Sequence, residues 1–159
     1  MYSSFSVSLA SPAETATLGK VLGEFCVPGV QFCLKGPLGA GKSTLARAII
    51  EQACGPQDDI PSPTFTLVQP YQSHAGHEIW HMDLYRLKVA EDALALGIEE
   101  AFFKATCLIE WPDKLAGYVP SSAMIISLSI TGDTSRQVDI SAPPFYESQL
   151  ASVLHPLIS

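Results

Sequence analysis

The sequence is poor in positive charge, with nine lysines and arginines against 16 aspartates and glutamates and a formal net charge of −7. Nucleic acid is gripped through a basic face, so we expect no direct high-affinity nucleic-acid binding by this chain. No apolar stretch approaches the roughly 18 residues that a membrane-spanning helix needs, so we expect no membrane insertion. The four cysteines form no C-x-x-C pair, and the N-terminal segment lacks the basic start and long apolar core of a signal peptide. These absences predict a reduced, cytoplasmic protein.

Asparagine is missing from all 159 residues, and no D-x-x-G motif occurs. The N-K-x-D motif that reads guanine therefore cannot exist, which excludes a GTPase of the usual kind. A hydrophobic content of 47% is nevertheless enough for a substantial core. The length and this content predict a single domain over residues 1–159, and strand-like segments alternate with helix-like segments along it.

The stretch "GPLGAGKST", residues 36–44, lies between a buried strand, "VQFCLK", and a helix, "STLARAIIEQAC". Gly36, Gly41, Lys42 and Ser43 match the P-loop pattern G-x-x-x-x-G-K-[ST]. Glycines let backbone N–H groups curl around a phosphate, Lys42 reaches the β and γ oxygens, and the Ser43 hydroxyl can ligate Mg²⁺. The strand and helix on either side favour a nucleotide site over a simple turn. We expect the Lys42 side chain to face solvent, so that removing it leaves the fold intact.

Three further polar positions could serve such a site. Thr64 lies in a proline-rich loop after the P-loop helix, where phosphate-sensing switch segments occur, although an ordinary surface loop fits equally well. Asp83 ends the strand "HEIWHMD" and suits an acid that holds Mg²⁺ through water, or else a helix cap. Glu110 ends the short apolar strand "CLIE" before Trp111, where open α/β sheets place ligand-handling groups, and the alternative is a solvent-exposed edge residue.

Arginine is scarce and narrows the class of enzyme. The only arginines are Arg47, Arg86 and Arg136, and Arg47 lies on the P-loop helix. A small-molecule P-loop kinase needs lid arginines that hold phosphates and substrate, so a kinase is the second choice and ATP is the nucleotide favoured by elimination. Only Arg86 and Arg136 are expected to be free to act as a charge-stabilising finger. A nucleotide-binding regulator that never hydrolyses ATP productively is another alternative.

Four segments in this order, "GPLGAGKST", "SPTFTLVQPY", "HMDLYRL" and "LIEWPDKL", resemble the TsaE family (also called YjeE). That family comprises bacterial P-loop ATPases needed to make threonylcarbamoyladenosine in tRNA, and the similarity spans about residues 5 to 140. The resemblance implies an α/β, P-loop NTPase-like domain with a mostly parallel central sheet flanked by helices and a C-terminal β-hairpin. It also implies a Mg²⁺-dependent ATPase that binds the TsaB and TsaD proteins and supports their transfer of threonylcarbamoyl to tRNA. Because the chain is small and acidic, we expect its ATP cycle to act on these partners as a nucleotide-controlled switch, and the scarcity of arginine predicts weak basal turnover.

The resemblance assigns roles to individual residues. It implies that Lys42 binds phosphate, that Ser43 and Glu110 hold Mg²⁺, that Asp83 supports the metal and its water, and that Thr64 belongs to a switch-like loop. The adenine is expected between the turn near Ser11 and Pro12 and the hairpin near Ser135 and Arg136. The nucleotide-binding residues implied in this way are Pro12, Leu38, Gly39, Ala40, Gly41, Lys42, Ser43, Thr44, Ser135 and Arg136. The sequence departs from the family at Pro37, where an acid is usual, and at Ser43, where threonine is common.

Three histidines have a spacing that suggests a metal site. His74 and His77 lie in a polar turn, whereas His81 lies inside a predicted strand. Their side chains are therefore not expected to converge on one zinc ion.

Overall fold

The computed structural model describes residues 2–157, so Met1, Ile158 and Ser159 of the predicted domain lie outside the described residues. The strands are β1 (Ser3–Leu9), β2 (Gln31–Lys35), β3 (Val68–Gln72), β4 (Glu78–Asp83), β5 (Thr106–Glu110), β6 (Met124–Ile130) and β7 (Arg136–Ala142). The α-helices are α1 (Pro12–Leu22), α2 (Lys42–Cys54), α3 (Ala90–Leu94), α4 (Ile98–Lys104) and α5 (Glu147–Leu154). Among the described residues, no helix combines the length and apolar character needed to cross a membrane.

The strands form one mixed sheet in the order β1-β7-β6-β2-β5-β4-β3. The four central strands β6, β2, β5 and β4 run parallel. The hairpin strand β7 is antiparallel to β6, β1 is antiparallel to β7, and β3 is antiparallel to β4. The predicted α/β fold, with flanking helices and a C-terminal hairpin, is confirmed; the sheet, predicted to be mostly parallel, is mixed, with parallel pairing in its centre and antiparallel pairing in the hairpin and at both outer strands. Because β2, β5 and β4 run the same way, their carboxyl ends meet at one edge of the sheet.

The sheet separates two hydrophobic cores. One lies under α1 and α2, and the other lies under α3 and α4. Along β5, Leu108 belongs to the first core, while Cys107 and Ile109 belong to the second. Side chains of a strand alternate between faces, so this strand is buried on both sides, as is usual for a central parallel strand.

The start of α1 follows from its sequence. The Ser11 side chain accepts a hydrogen bond from the Glu14 N–H at 3.3 Å, and the Glu14 carboxylate accepts one from the Ala10 N–H at 3.1 Å. The Glu14 carboxylate bonds the N–H before the cap residue rather than that of Ser11, so this is a variant of the capping box, and Pro12 suits the first helical position because its missing N–H would have no helical partner there. The N-terminus of α1 thereby comes to lie beside the P-loop.

Two local details differ from the sequence patterns. The helical pattern that begins at Ala90 breaks into α3 and α4 at Gly97, whose φ of +83° is left-handed. The β-rich residues 66–71 predict a strand, but the strand begins at Val68, because Leu67 adopts a φ of +68° and turns the chain before pairing starts. Pattern alone does not reveal either break, since glycine and leucine both fit within an apolar periodic run.

Candidate functional site

The P-loop joins β2 to α2 and depends on glycines at two positions. Gly36 has a φ of +148°, and a Cβ there would lie 2.6 Å from the carbonyl oxygen of Leu128. Gly41 has a φ of +106° and caps α2 immediately before Lys42. Any larger residue at Gly36 would push the loop away from β6. Pro37 supplies its carbonyl to the Ala40 N–H at 3.1 Å, so the missing backbone donor at this position does not prevent the turn.

Lys42 is buried, with only 5% of its surface exposed. Its ammonium donates to the Gly36 carbonyl at 2.6 Å and lies 3.5 Å from the centre of the Trp111 ring. Burial lowers the pKa of Lys42 from its ordinary value, and the nearby carboxylates, chiefly those of Glu110 and Asp83, act in the opposite direction. The prediction that Lys42 faces solvent is therefore wrong, because Trp111, turned inward by a φ of +62°, covers it.

The two predicted acids lie side by side at the carboxyl ends of adjacent strands. Asp83 and Glu110 are register partners across β4 and β5, and both are buried. Neither residue is therefore a solvent-exposed edge acid. The Ser43 hydroxyl at the start of α2 donates to Glu110 Oε1 at 3.4 Å, which brings the P-loop and the strand ends together.

These groups open on a cavity of about 310 Å³ at this edge of the sheet. Its lining residues are Leu38, Gly39, Gly41, Lys42, Ser43, Thr44, Ser62, Thr64, Asp83, Glu110 and Trp111. One hydroxyl and two carboxylates are hard oxygen donors, and they are too few for a closed protein cage. This donor set fits Mg²⁺, which keeps several waters and takes further oxygens from a phosphate ligand.

The proline-rich loop is attached to Asp83 through two hydroxyls. The Thr64 hydroxyl donates to Asp83 Oδ2 at 2.7 Å, and the Ser62 hydroxyl reaches the same oxygen at 3.1 Å. Asp83 Oδ1 accepts from the Tyr85 N–H at 3.2 Å, so this side chain also fixes the turn after β4. The main chain adds a further tie, since the Asp83 N–H donates to the Leu67 carbonyl at 3.0 Å. Movement of this loop would therefore change the position of the Asp83 side chain.

The outer side of the same loop presents an aromatic ring to solvent. Phe65 is 82% exposed, and the Arg86 guanidinium stacks 4.4 Å from the centre of its ring. Thr64, its neighbour in sequence, points the opposite way and contacts Asp83. The loop thus connects a solvent-facing aromatic to the acid at the end of β4.

A second, smaller cavity of about 130 Å³ lies on the other side of the P-loop. Its lining residues are Pro12, Thr15, Gly39, Ala40, Gly41, Thr44, Asp133, Thr134 and Arg136. The Thr134 hydroxyl donates to the Ala10 carbonyl at 3.0 Å, which ties the hairpin turn to the segment before α1. The structure therefore brings Pro12 and Arg136 together as the sequence suggested. Ser135 contributes its carbonyl to Arg136 and is not one of the lining residues.

Arg136 directs four of its five N–H donors to backbone carbonyls. Its guanidinium donates to Ala40 at 3.2 Å and Gly39 at 3.1 Å in the P-loop, and to Gly132 at 3.0 Å and Ser135 at 2.7 Å in the hairpin. The expectation that Arg136 is free to act as a charge-stabilising finger is therefore wrong. Its fork of donors instead fastens the hairpin to the P-loop.

The histidines have separate partners. His77 contacts the hydroxyls of Ser73 and Thr106, whereas His81 Nε2 lies 2.7 Å from Glu110 Oε2. Within residues 2–157, no three His, Cys, Asp or Glu side chains are grouped as a metal-holding set.

Sequence reasoning did not identify several residues that line or support the two cavities. These residues are Thr15, Ser62, His81, Asp133 and Thr134. His81 carried a usable signal, because it precedes Asp83 by two positions in a strand and must therefore share its face. The signal at Ser62 was weaker, since serine is a common turn residue in proline-rich loops whether or not the loop has a function.

Comparison with known proteins places this chain among related sequences. The family model described as "Threonylcarbamoyl adenosine biosynthesis protein TsaE" matches residues 9–138. Proteins called "tRNA threonylcarbamoyladenosine biosynthesis protein TsaE" are similar to this chain: one from Haemophilus influenzae is 40% identical, covering 71% of this chain and 70% of its own length. One from Rickettsia felis is 36% identical, covering 83% and 77%, and one from Bacillus subtilis is 32% identical, covering 83% and 82%.

Among solved structures, the crystal structure of Bacillus subtilis YdiB superimposes with a TM-score of 0.79 at 26% identity. The match covers 98% of this chain and 97% of that one. The resemblance drawn from the four sequence segments is confirmed, and the chain belongs to the TsaE family.

Proposed function

We propose that the chain is a Mg²⁺-dependent ATPase that acts in the biosynthesis of threonylcarbamoyladenosine in tRNA, as a nucleotide-controlled switch on the TsaB–TsaD complex. One observation carries the ATPase part: Lys42, Ser43, Asp83 and Glu110 line a single cavity at the carboxyl ends of parallel strands. Ligand sites of open α/β sheets lie at this edge. The biosynthetic role rests on membership of the family and on the names of the relatives.

Each residue of the large cavity has a distinct task in this proposal. The P-loop N–H groups bind phosphate at the positive N-terminal end of α2, and Lys42 neutralises further phosphate charge. Ser43 and Glu110 would hold Mg²⁺, and Asp83 would support it through water. When bound, the ion supplies Lewis-acid polarisation of the phosphoryl oxygens.

Lys42 must change partners to carry out its task. Its ammonium now donates to the Gly36 carbonyl under the Trp111 ring. Phosphate oxygens are stronger acceptors than a neutral carbonyl, so we expect Lys42 to exchange this carbonyl for them. A desolvated ammonium of lowered pKa gains most from such a partner, which favours binding of a highly charged ligand.

The smaller cavity is the proposed site of the base. It lies on the far side of Gly39, Gly41 and Thr44, which line both cavities, so one nucleotide could run from one to the other. Pro12 offers an apolar surface for a ring, while Thr134 and Asp133 offer polar groups to its edge. ATP is the proposed nucleotide because the chain has no N-K-x-D motif for guanine.

Hydrolysis is proposed to be slow without the partner proteins. Neither Arg86 nor Arg136 lines the large cavity: Arg136 bonds four backbone carbonyls, and Arg86 stacks on Phe65 at the solvent side of the loop, so neither is placed to stabilise transferred charge. An arginine supplied in trans can raise such rates by about 10³ to 10⁵. The exposed Phe65 gives a partner a place to bind on the loop that carries Thr64, and Thr64 passes that contact to Asp83.

The test is phosphate release by the chain alone and with TsaB and TsaD. We expect a low basal rate that rises when both partners are added, and Thr64→Ala should reduce this rise more than it reduces ATP affinity. Ser6→Ala is the matched control, because the Ser6 hydroxyl also donates to an aspartate, Asp139, at 2.7 Å but lies on β1. Equal rates with and without partners would contradict the switch. Transfer of phosphate to a small-molecule acceptor would favour a kinase, and nucleotide binding without any release would favour a regulator.

A further inference from the structure

His81 holds a position that the proposed catalytic roles do not use. It lies on β4, two residues before Asp83, and its exposed fraction is 1%. Its Nε2 is 2.7 Å from Glu110 Oε2, and Glu110 is itself only 2% exposed. Because His81 pairs in register with Leu108, it meets Glu110 diagonally across the two strands and on the same face of the sheet.

The surroundings of the imidazole select one tautomer. Nδ1 of His81 is buried and has no hydrogen-bond partner among the described residues. A hydrogen on Nδ1 would therefore be an orphaned donor, and it would leave the Nε2 lone pair facing a carboxylate oxygen. With the hydrogen on Nε2, the imidazole donates to Glu110 Oε2, and only a lone pair at Nδ1 lacks a partner. The geometry therefore assigns the Nε2–H form.

The two oxygens of Glu110 are divided between two neighbours. Oε2 accepts from His81, whereas Oε1 faces the Ser43 hydroxyl at 3.4 Å. A carboxylate held at one oxygen has its rotamer fixed, and its other oxygen is left for a ligand. Loss of the imidazole would leave Oε2 buried without its donor, and the carboxylate would turn to satisfy it.

We infer that His81 is a positioning residue that aims Glu110 Oε1 at the metal side of the cavity and thereby sets the affinity for Mg²⁺. This inference rests on the proposed role of Glu110 as a metal ligand. Hydrogen-bond partners of metal ligands typically change metal affinity by about 10- to 100-fold when removed. His81 is not among the lining residues of either cavity.

The test measures binding of a non-hydrolysable ATP analogue by calorimetry across a Mg²⁺ titration. His81→Asn removes the donor at the Nε2 position and should raise the Mg²⁺ concentration for half-saturation by about 10- to 100-fold. His81→Gln restores an N–H near that position and should recover most of the loss. Analogue binding without Mg²⁺ should stay the same in both variants. His77→Gln is the matched control, because His77 bonds hydroxyls rather than Glu110 and should leave the titration unchanged.

Several outcomes would overturn the inference. One is an unaltered Mg²⁺ titration in His81→Asn. Another is an equal loss of Mg²⁺ affinity in His81→Asn and His81→Gln, together with weaker analogue binding in the absence of Mg²⁺. Glu110→Gln separates the two proposals: if it leaves the titration normal, the metal role fails, and if only Glu110→Gln is impaired, the positioning role alone fails. Nitrogen NMR of the unsubstituted chain serves even if the variants do not fold. It should show a hydrogen on Nε2 of His81, and a bare Nε2 would overturn the inference.

Discussion

Replacing Arg136 by alanine should loosen the P-loop before any nucleotide is present. The guanidinium bonds the carbonyls of Gly39 and Ala40 in the loop and those of Gly132 and Ser135 in the hairpin. When Arg136 holds the Gly39 and Ala40 carbonyls away from the cavity, the N–H groups of the P-loop can face a phosphate. Without Arg136, the P-loop would adopt its binding conformation only when ATP binds, and the free energy needed to order the loop would weaken ATP binding.

The size of the effect follows from the bonds that reach the loop. A typical net hydrogen bond contributes about 0.5–1.5 kcal/mol, and Arg136 is only partly buried, so we use this range rather than the larger one for charged pairs. Two bonds to the loop then total about 1–3 kcal/mol, and 1.4 kcal/mol corresponds to a factor of ten in affinity. We therefore expect Arg136→Ala to weaken ATP binding by about fivefold or more.

Two measurements check this expectation. Urea unfolding of the nucleotide-free chain should show a free energy of unfolding lower by about 1–3 kcal/mol, and calorimetry should show the loss of ATP affinity. Arg47→Ala is the matched control, because Arg47 is an exposed arginine on α2 and its removal changes the net charge equally. If Arg136→Ala weakens ATP binding but leaves nucleotide-free stability untouched, Arg136 acts as a direct nucleotide contact and the reasoning fails.

Three other changes test separate parts of the structure. Gly36→Ala should lower the free energy of unfolding by about 2 kcal/mol or more, because the added Cβ would lie 2.6 Å from the Leu128 carbonyl oxygen. The control is Gly76→Ala, which is also at positive φ but has open space around it and should lower the free energy of unfolding by less. Equal losses in the two variants would contradict a steric clash at Gly36. Glu110→Gln should slow hydrolysis by about 10²-fold, measured as phosphate release at saturating ATP, and a normal rate would remove Glu110 from the site. Burial raises the pKa of three thiols to about 12: Cys26, Cys33 and Cys107. The pKa of these thiols is higher in the folded than in the unfolded chain, so their contribution to stability is fully present below pH 9 and is lost as the pH rises towards 12. Rapid alkylation of the three thiols in the native chain at pH 8 would contradict their burial.

Local chemistry made much of the fold predictable. The capping box at Ser11 and Glu14, the P-loop between a strand and a helix, and the alternation of the C-terminal hairpin each require only short-range rules. The order of strands in the sheet could not be predicted in this way, since the position of β1 beside β7 depends on pairing between residues that are 127 to 139 positions apart in sequence. The break at Gly97 was missed because one glycine does not by itself end a helical pattern.

The candidate site was likewise predictable only in those features that depend on short-range sequence patterns. Residue types and strand ends made Lys42, Ser43, Asp83 and Glu110 candidates with alternatives left open for the two acids, and the family resemblance assigned all four to one site; the structure places them around one cavity. The burial of Lys42 was missed because it depends on Trp111, which is distant in sequence and adopts a left-handed backbone conformation. A sequence pattern does not show which distant side chain covers a given residue.

The most direct test of the central claim is phosphate release from ATP by the chain and by Lys42→Met, each with Mg²⁺, TsaB and TsaD. Methionine keeps an apolar stem under Trp111 and removes the charge, so the buried packing is retained better than with alanine. Urea unfolding confirms that the variant is folded. We predict partner-stimulated release by the natural chain and a rate at least about 10²-fold lower for Lys42→Met. Equal release by the two proteins would contradict it.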